Sequence, residues 1–483
     1  MKTYPTRQIR NVVLLGHSGS GKTTVLEAMA FNANLTDRMG RIEDGNTISD
    51  YNQEEAQRQI SISTSLVSME FKDYKLNILD VPGYFDFASE LCSAVNVANC
   101  AVIVIDALSG MEVGAIKAWD YVQEKKIPTL ILVNKLDRDN VEFKSIMDQI
   151  KEKLGPRAVP FEIPYGEGSE FKGVLNAVDL TGRERKGNRC VDIDLPSEVL
   201  ETIAPYREMI AESVAQTSEE LLEKYFNGEE LSNEEIHQGL RKSVLEGELV
   251  PILCTSSLLN VGVETLQNMI LEFFPSPQEI QKTRKISNEA PASVFIFKTI
   301  VDQYVGRLSL FKTISGVVRP GMELLNPRTN KKEKIAHIYV LQGKNQMEVG
   351  QLEAGDIGAF SKLSDTVTGD TLCDAKEPIT YQKIDFPQPI FSMAVEPKTK
   401  GDEDKIGIGL HRLQEEDPTI IVKRNDETNQ TILSGMGEMH LEIVKDKMKN
   451  KFGVEILLKE PTTLSTNSNA SSVLPMGSKS ITT

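Results

Sequence analysis

Gly16-His17-Ser18-Gly19-Ser20-Gly21-Lys22-Thr23 is the first stretch whose residue types could do chemistry. Glycines at this spacing let backbone N–H groups turn inward around phosphate oxygens. Lys22 would reach the β- and γ-phosphates, the Thr23 hydroxyl would bind Mg²⁺, and Thr24 completes the nucleotide-binding stretch. Asp80-Val81-Pro82-Gly83 is the second stretch. An acidic residue there can hold Mg²⁺ through water, and the Gly83 N–H can sense a γ-phosphate. Asn134-Lys135-Leu136-Asp137 is the third. The Asp137 carboxylate can accept both the N1–H and the N2 amino hydrogens of guanine. Adenine offers neither in that arrangement, so an adenine nucleotide would leave a buried carboxylate unpaired. Asn134 and Lys135 would brace the loop and flank the base. Thr255-Ser256-Ser257 comes last, small residues at a strand end where a backbone N–H suits guanine O6.

These stretches need a scaffold that presents them together. Asn11–Leu15 is short, apolar and partly β-branched, and it reads as a buried strand. The residues after Thr23 read as a helix whose N-terminus adds partial positive charge at the phosphates. Residues 31–49 are polar and aperiodic, and with 50–63 they read as a long loop of the kind that orders on a γ-phosphate. Ser65–Phe71 and Leu76–Leu79 read as strands joined by a turn at Lys72-Asp73-Tyr74-Lys75. Ala101–Asp106, Thr129–Val133 and Leu249–Cys254 read as further apolar strands, with a helix over 112–125. Near-continuous apolar strands alternating with helices predict a parallel sheet covered on both faces.

At 483 residues the chain has room for roughly three domains. Its net charge of −16 excludes indiscriminate coating of nucleic acid, which needs excess Lys and Arg, but leaves local basic patches open. Cys92, Cys100, Cys190, Cys254 and Cys373 are scattered with no CxxC pair, so reduced core thiols are expected rather than disulfides or zinc. No apolar run approaches a membrane span, and the N-terminal apolar run is too short for a signal peptide. A cytoplasmic monomer with no membrane association is expected.

The distance from Asp137 to Ser256 exceeds one helix crossover, so an insert at about 158–250 is expected within a nucleotide domain over 1–280. Residues 197–226 read as acidic and helical, and Ser232-Asn233-Glu234-Glu235 as a capping box opening another helix. Pro275-Ser276-Pro277 and the polar stretch to Glu289 read as a linker. Short strands over 290–378, including Lys334–Val340, predict a β-barrel. Over 386–460 the order β-α-β-β-α-β predicts a split-βαβ, ferredoxin-like domain. Residues 461–483 read as a disordered or aberrant tail. Among the remaining singular side chains, Trp119, Met436 and Met439 are expected in cores, His440 packed or capping, and His237, His337 and His411 on surfaces.

With these motifs in this order, the chain resembles elongation factor G and its paralogues among the translational GTPases, over residues 8 to about 461. Arg58-Gln59-Ile60-Ser61 stands where the family usually has Arg-Gly-Ile-Thr, Tyr304-Val305-Gly306-Arg307-Leu308 and Thr368-Gly369-Asp370-Thr371-Leu372 are similar to its barrel, and Ser434–Glu442 is close to a signature of its third domain. The resemblance implies that Ser61 joins Thr23 and Asp80 as an Mg²⁺ ligand, and that Tyr84 occupies the position of the family's catalytic His. Lys22 and Gly83 complete the implied catalytic set. Ser18-Gly19-Ser20 replaces the family's usual Ile-Asp-Ala, and no counterpart of the fourth and fifth domains is read here.

The expected function is therefore a GTPase with GTP/GDP and Mg²⁺ as cofactors and the ribosome, its RNA and its proteins, as partner. Two alternatives stand beside it. One is a release, recycling, rescue or ribosome-protection GTPase. The other is a GTP-dependent binding switch with little hydrolysis, which Tyr84 and Gly19 favour.

Overall fold

A computed structural model describes residues 1–462 apart from 188, 196, 281–287 and 303–305. Tyr304, Val305, part of the expected linker and residues 463–483 of the expected tail lie outside the described residues.

The chain opens with β1 (Ile9–Leu15), α1 (Lys22–Asn32), α2 (Gln53–Arg58), β2 (Ser65–Phe71), β3 (Tyr74–Asp80), α3 (Ala88–Val97), β4 (Cys100–Asp106), α4 (Val113–Glu124), β5 (Thr129–Asn134) and α5 (Phe143–Leu154). The following stretch holds β6 (Ala158–Pro160), β7 (Glu162–Tyr165), β8 (Gly173–Asn176), β9 (Thr181–Lys186), β10 (Arg189–Ile193), α6 (Ser197–Ala215), α7 (Glu219–Phe226) and α8 (Asn233–Glu246). It then rejoins the first sheet through β11 (Val250–Cys254), followed by α9 (Val263–Phe273) and α10 (Pro277–Ile280). Strands run in the order β2-β3-β1-β4-β5-β11-β6, all parallel except the β2–β3 hairpin. β1, β4 and β5 are buried at every position, as strands covered on both faces must be. Their C-terminal ends carry the loops read above as chemical. β7–β10 form a separate antiparallel sheet.

A β-rich unit follows: β12 (Ser293–Asp302), β13 (Gly306–Ser315), β14 (Val317–Val318), β15 (Glu323–Asn326), β16 (Lys331–Lys334), β17 (Ile338–Gln342), β18 (Asn345–Glu348), β19 (Leu352–Glu353), β20 (Ile357–Ser361) and β21 (Thr371–Cys373). The last unit is β22 (Phe391–Pro397), α11 (Glu403–Glu416), β23 (Ile421–Asn425), β24 (Gln430–Gly435), α12 (Glu438–Phe452) and β25 (Ile456–Lys459). Its strand order β23-β24-β22-β25 is that of a split-βαβ sandwich. Ile406, Leu410 and Leu413 of α11 pack against Leu441, Val444 and Met448 of α12 in its core.

Several elements differ from the sequence reading. The β2–β3 turn is only Lys72-Asp73, at φ 45° and 62°, so Phe71 pairs with Tyr74. Two left-handed residues match the twist of a tight hairpin. Lys334–Val340 is not one strand. The Ile335 N–H and C=O bond Met322 and Gly321, which ends β16 before β17 begins. The 197–226 helix breaks before Ser218, whose side chain caps α7. Met436 and Met439 are half-buried rather than core. His237 is no free surface residue: it sits between Asp179 and Glu272 and stacks on Phe273. His440 is buried and pairs with Asp417 at 3.2 Å. Among the described residues no helix is long and apolar enough to cross a membrane.

The first sheet and the β-rich unit are joined by hydrogen-bonded strands, with Gln342 of β17 opposite Val67 of β2. Beneath that seam, the buried Lys75 ammonium lies 2.8 and 2.9 Å from the Asp356 carboxylate oxygens, and the Asn77 amide donates to one of them at 3.0 Å. Removing one member leaves the other charge buried and unpaired. Asp356→Ala should therefore lower stability by about 3 kcal/mol in a denaturant titration. Lys332→Ala, at the exposed Lys332–Glu323 pair, should change it by less than about 1 kcal/mol.

Candidate nucleotide site

The loop after β1 is shaped by backbone contact. Gly16 has φ +139°, and a Cβ there would lie 2.3 Å from the Val104 carbonyl of β4. Gly83, at the end of β3, approaches the same loop so closely that a Cβ would lie 2.5 Å from the Ser18 nitrogen and 2.7 Å from Lys22 Nζ. Sheet geometry thus presses the first two chemical stretches together.

Lys22 is buried and donates to the carbonyls of Gly16 at 3.1 Å and His17 at 2.9 Å. Burial pushes its pKa down to about 8, against the pull of Asp80 and Asp50. The Thr23 hydroxyl donates to Asp80 Oδ2 at 2.8 Å and lies 3.2 Å from the Ser61 hydroxyl. Ser49 also donates to Asp80 Oδ2, at 3.0 Å. The three residues expected to surround a cation therefore meet. The other Asp80 oxygen, Oδ1, is buried with no hydrogen-bond partner, and so is Oδ2 of Asp50. Burial raises the Asp50 carboxyl to about 8, with the Asp80 charge as the next cause, and burial raises Asp80 as well.

The third stretch is braced by the loops around it. The Asn134 amide donates to the Ser20 carbonyl at 3.0 Å and its oxygen accepts from the Ser257 N–H at 3.0 Å. Lys135, in the left-handed region at φ 66°, bonds the Gly19 carbonyl and reaches Asp106 at 2.6 Å. The Ser256 N–H is taken by the Val261 carbonyl. In the structure, the Ser256 N–H thus serves its own loop and the Ser257 N–H serves Asn134 of the third stretch.

One cavity of about 360 Å³ runs along these loops, lined by Ser18, Gly19, Gly21, Lys22, Thr23, Thr24, Ser61, Gly83, Lys135, Asp137 and Ser257 among the expected residues. Gly16, His17, Ser20, Asp80, Asn134 and Ser256 are not on its wall. His17 instead lies 3.6 Å from Glu112. Tyr84 is also off the wall and 37 % exposed, beside Phe85, whose ring carries the Lys117 ammonium at 3.8 Å from its centre. Sequence reasoning missed Ile42, Glu43, Asp50, Gln59, Ile60, Arg138 and Leu258 as lining residues. For Asp50 the one available signal was an acidic residue opening the segment that leads to Ser61. The others sit on loops without periodicity.

The segment carrying Ser61 is anchored on the last unit. Ile62, Phe87 and Ile443 form a small buried cluster with Ile60 and Met439 packed on it. Arg58 pairs with Asp446 at 2.7 Å, and the Asn450 amide donates to Glu54 at 2.8 Å.

The arrangement offers an ammonium, glycine backbone and a helix start along one side of a cavity, a hydroxyl–carboxylate junction beneath it, and a half-buried carboxylate at the far end. That set fits a purine nucleoside polyphosphate. The sequence model of the Elongation factor Tu GTP binding domain matches residues 7–276, that of Elongation factor G domain 2 matches 291–375, and that of Elongation Factor G domain III matches 386–460. A crystal structure of a protein from Thermus thermophilus superposes with a TM-score of 0.87 at 30 % identity, covering 94 % of this chain and 68 % of that one.

The buried Glu162 of β7 accepts the Cys254 N–H of β11 at 3.1 Å, one residue before the Thr255–Ser257 loop, and burial pushes its pKa up to about 8. An unfolded glutamate loses its proton near 4.5, so stability should fall as pH rises from there towards 8. Glu162→Gln keeps the acceptor and removes the titration. It should raise the melting temperature at pH 8 and have little effect at pH 4.5, as thermal unfolding at the two pH values would read.

Proposed function

This chain belongs to the elongation factor G family of translational GTPases, and we propose that it binds GTP with Mg²⁺, hydrolyses it to GDP and phosphate, and acts on the ribosome. The carrying observation is the junction of Thr23, Ser61 and Asp80 beneath the cavity, with carboxylate oxygens of Asp80 and Asp50 buried and unpartnered.

The donor set fits a hard divalent cation. All its atoms are oxygens, and among the described residues no group of three or more His, Cys, Asp or Glu could hold a metal alone. Mg²⁺ is held in this incomplete way, by one or two protein oxygens plus substrate phosphates and water. Thr23 and Ser61 would hold it directly, Asp80 and Asp50 through water. When bound, Mg²⁺ neutralises charge on the transferring phosphoryl oxygens.

The residues of the chain do the rest. Lys22 would exchange its two carbonyl partners for phosphate oxygens, which strengthens its charged form. The Gly83 N–H would report the γ-phosphate. Asp137 would select guanine, with Asn134 and Lys135 holding its loop against the phosphate loop. Tyr84 is the weakest part of the catalytic reading. A phenol is neutral near pH 7, so it can hydrogen-bond an attacking water but cannot act as an imidazolium. It must also move to reach the cavity. Its position off the wall favours a second reading, a GTP-dependent binding switch with little hydrolysis. A release, recycling or protection role within the same family uses the same chemistry. A cytoplasmic monomer is the setting proposed for either reading.

Single-turnover hydrolysis with and without ribosomes tests the proposal. Strong stimulation by ribosomes is expected. Tight GTP binding without stimulated hydrolysis would favour the switch. Asp137→Asn should shift preference from guanosine to xanthosine nucleotides, read by competition binding, and an unchanged guanine preference would remove Asp137 from the base site.

A further inference from the structure

A cleft of about 650 Å³ separates the β-rich unit from the α11–α12 layer, and its charged walls are Arg307, Lys362, Arg412 and Lys451 against one carboxylate, Glu415. In a chain of net charge −16 this is a local inversion of sign.

Two of the cations fix the walls. Arg307 of β13 pairs with Glu415 of α11 at 2.6 Å and donates to the Ser364 carbonyl at 3.2 Å. Lys451 lies 3.0 Å and Lys447 3.7 Å from the buried Glu416, so two α12 ammonium groups share one carboxylate. The Arg307–Glu415 pair and the Lys451 bond to the Val301 carbonyl at 3.3 Å tie the units together without cancelling the positive charge. The other two cations are uncommitted. Lys362 and Arg412 are exposed, and among the described residues neither side chain has a hydrogen-bond or ion-pair partner. Lys362 is held just beyond β20 at φ 62°, its N–H bonded to the Arg307 carbonyl at 3.2 Å. One free cation therefore stands on each wall of a cross-linked cleft.

Unpaired cations on cross-linked walls suit a polyanion whose charges are spaced along a chain, since each can take a phosphate without breaking an existing ion pair and binding releases condensed counterions. We propose that this cleft docks the sugar–phosphate backbone of an RNA, through Lys362 and Arg412. The choice of RNA over an acidic protein rests on the reading above of a ribosome-acting GTPase.

The test is binding of the full chain to purified ribosomes across a salt series, for wild type, the double variant Lys362→Glu/Arg412→Glu, its milder form Lys362→Gln/Arg412→Gln, and Lys144→Glu as a surface-charge control. The glutamate pair should weaken binding at least tenfold, and both double variants should flatten the slope of log affinity against log salt by about 1 to 2. Melting temperature should be unchanged, guanine-nucleotide affinity should stay within about twofold, and Lys144→Glu should bind like wild type. If the wild type binds and either double variant keeps its affinity and slope, the cleft is overturned while the ribosomal reading stands. If the wild type binds no ribosomes, the ribosomal reading falls and the RNA assignment with it. If the double variants lose binding to polyglutamate but not to ribosomes, the occupant is an acidic protein and the RNA assignment is wrong.

Discussion

Two buried carboxylates facing one buried ammonium set the central constraint on this molecule. Asp50 and Asp80 lie beneath the nucleotide cavity with Lys22 as their principal cation, and each carboxylate has an oxygen with no partner. Two carboxylates so buried and so close hold their protons more tightly than free ones, and a cation would be needed for both to carry charge. In the proposed complex the same pair would become an asset, with a divalent ion and phosphates sharing the site. Around this deficit the fold places the loop after β1, the end of β3 and the segment that brings in Ser61.

That segment ties local electrostatics to the rest of the chain. Ser61 belongs to a stretch whose side chains are anchored on α12 through Ile60, Ile62 and the Arg58–Asp446 pair. The first sheet and the β-rich unit are joined differently, by strand pairing and the buried Lys75–Asp356 contact. One seam is a short strand contact, Gln342 opposite Val67, with a buried charge pair beside it. The other is a small apolar cluster with ion pairs at its edge, and it includes the very segment that carries Ser61.

Much of this was legible in the sequence because the signals were local. Strands β1, β4 and β5 announce themselves as unbroken apolar runs, and the glycines at 16 and 83 are where backbone meets backbone. The stripe Ile406, Leu410 and Leu413 gave α11 its buried face. The failures were tertiary. β18 is the polar run Asn345–Glu348, a strand only because it folds back on β17. Lys334–Val340 looked continuous until Ile335 was needed elsewhere. Asp50, Ile42, Glu43 and Gln59 reach the cavity from an aperiodic loop, where no period says which way a side chain faces. Nothing in the sequence marks that the Ser256 N–H is taken by the Val261 carbonyl and the Ser257 N–H by Asn134.

The most direct measurement is equilibrium binding of a fluorescent, non-hydrolysable GTP analogue, competed by adenine nucleotides and repeated with Mg²⁺ chelated. The proposed base site predicts discrimination against adenine on the order of 10⁴, as a carboxylate that pairs with guanine and finds no partner on adenine would give. The proposed cation site predicts clear loss of affinity without Mg²⁺, when Asp50 and Asp80 again face the phosphates uncompensated. Equal binding of guanine and adenine nucleotides, or binding indifferent to Mg²⁺, would contradict the account.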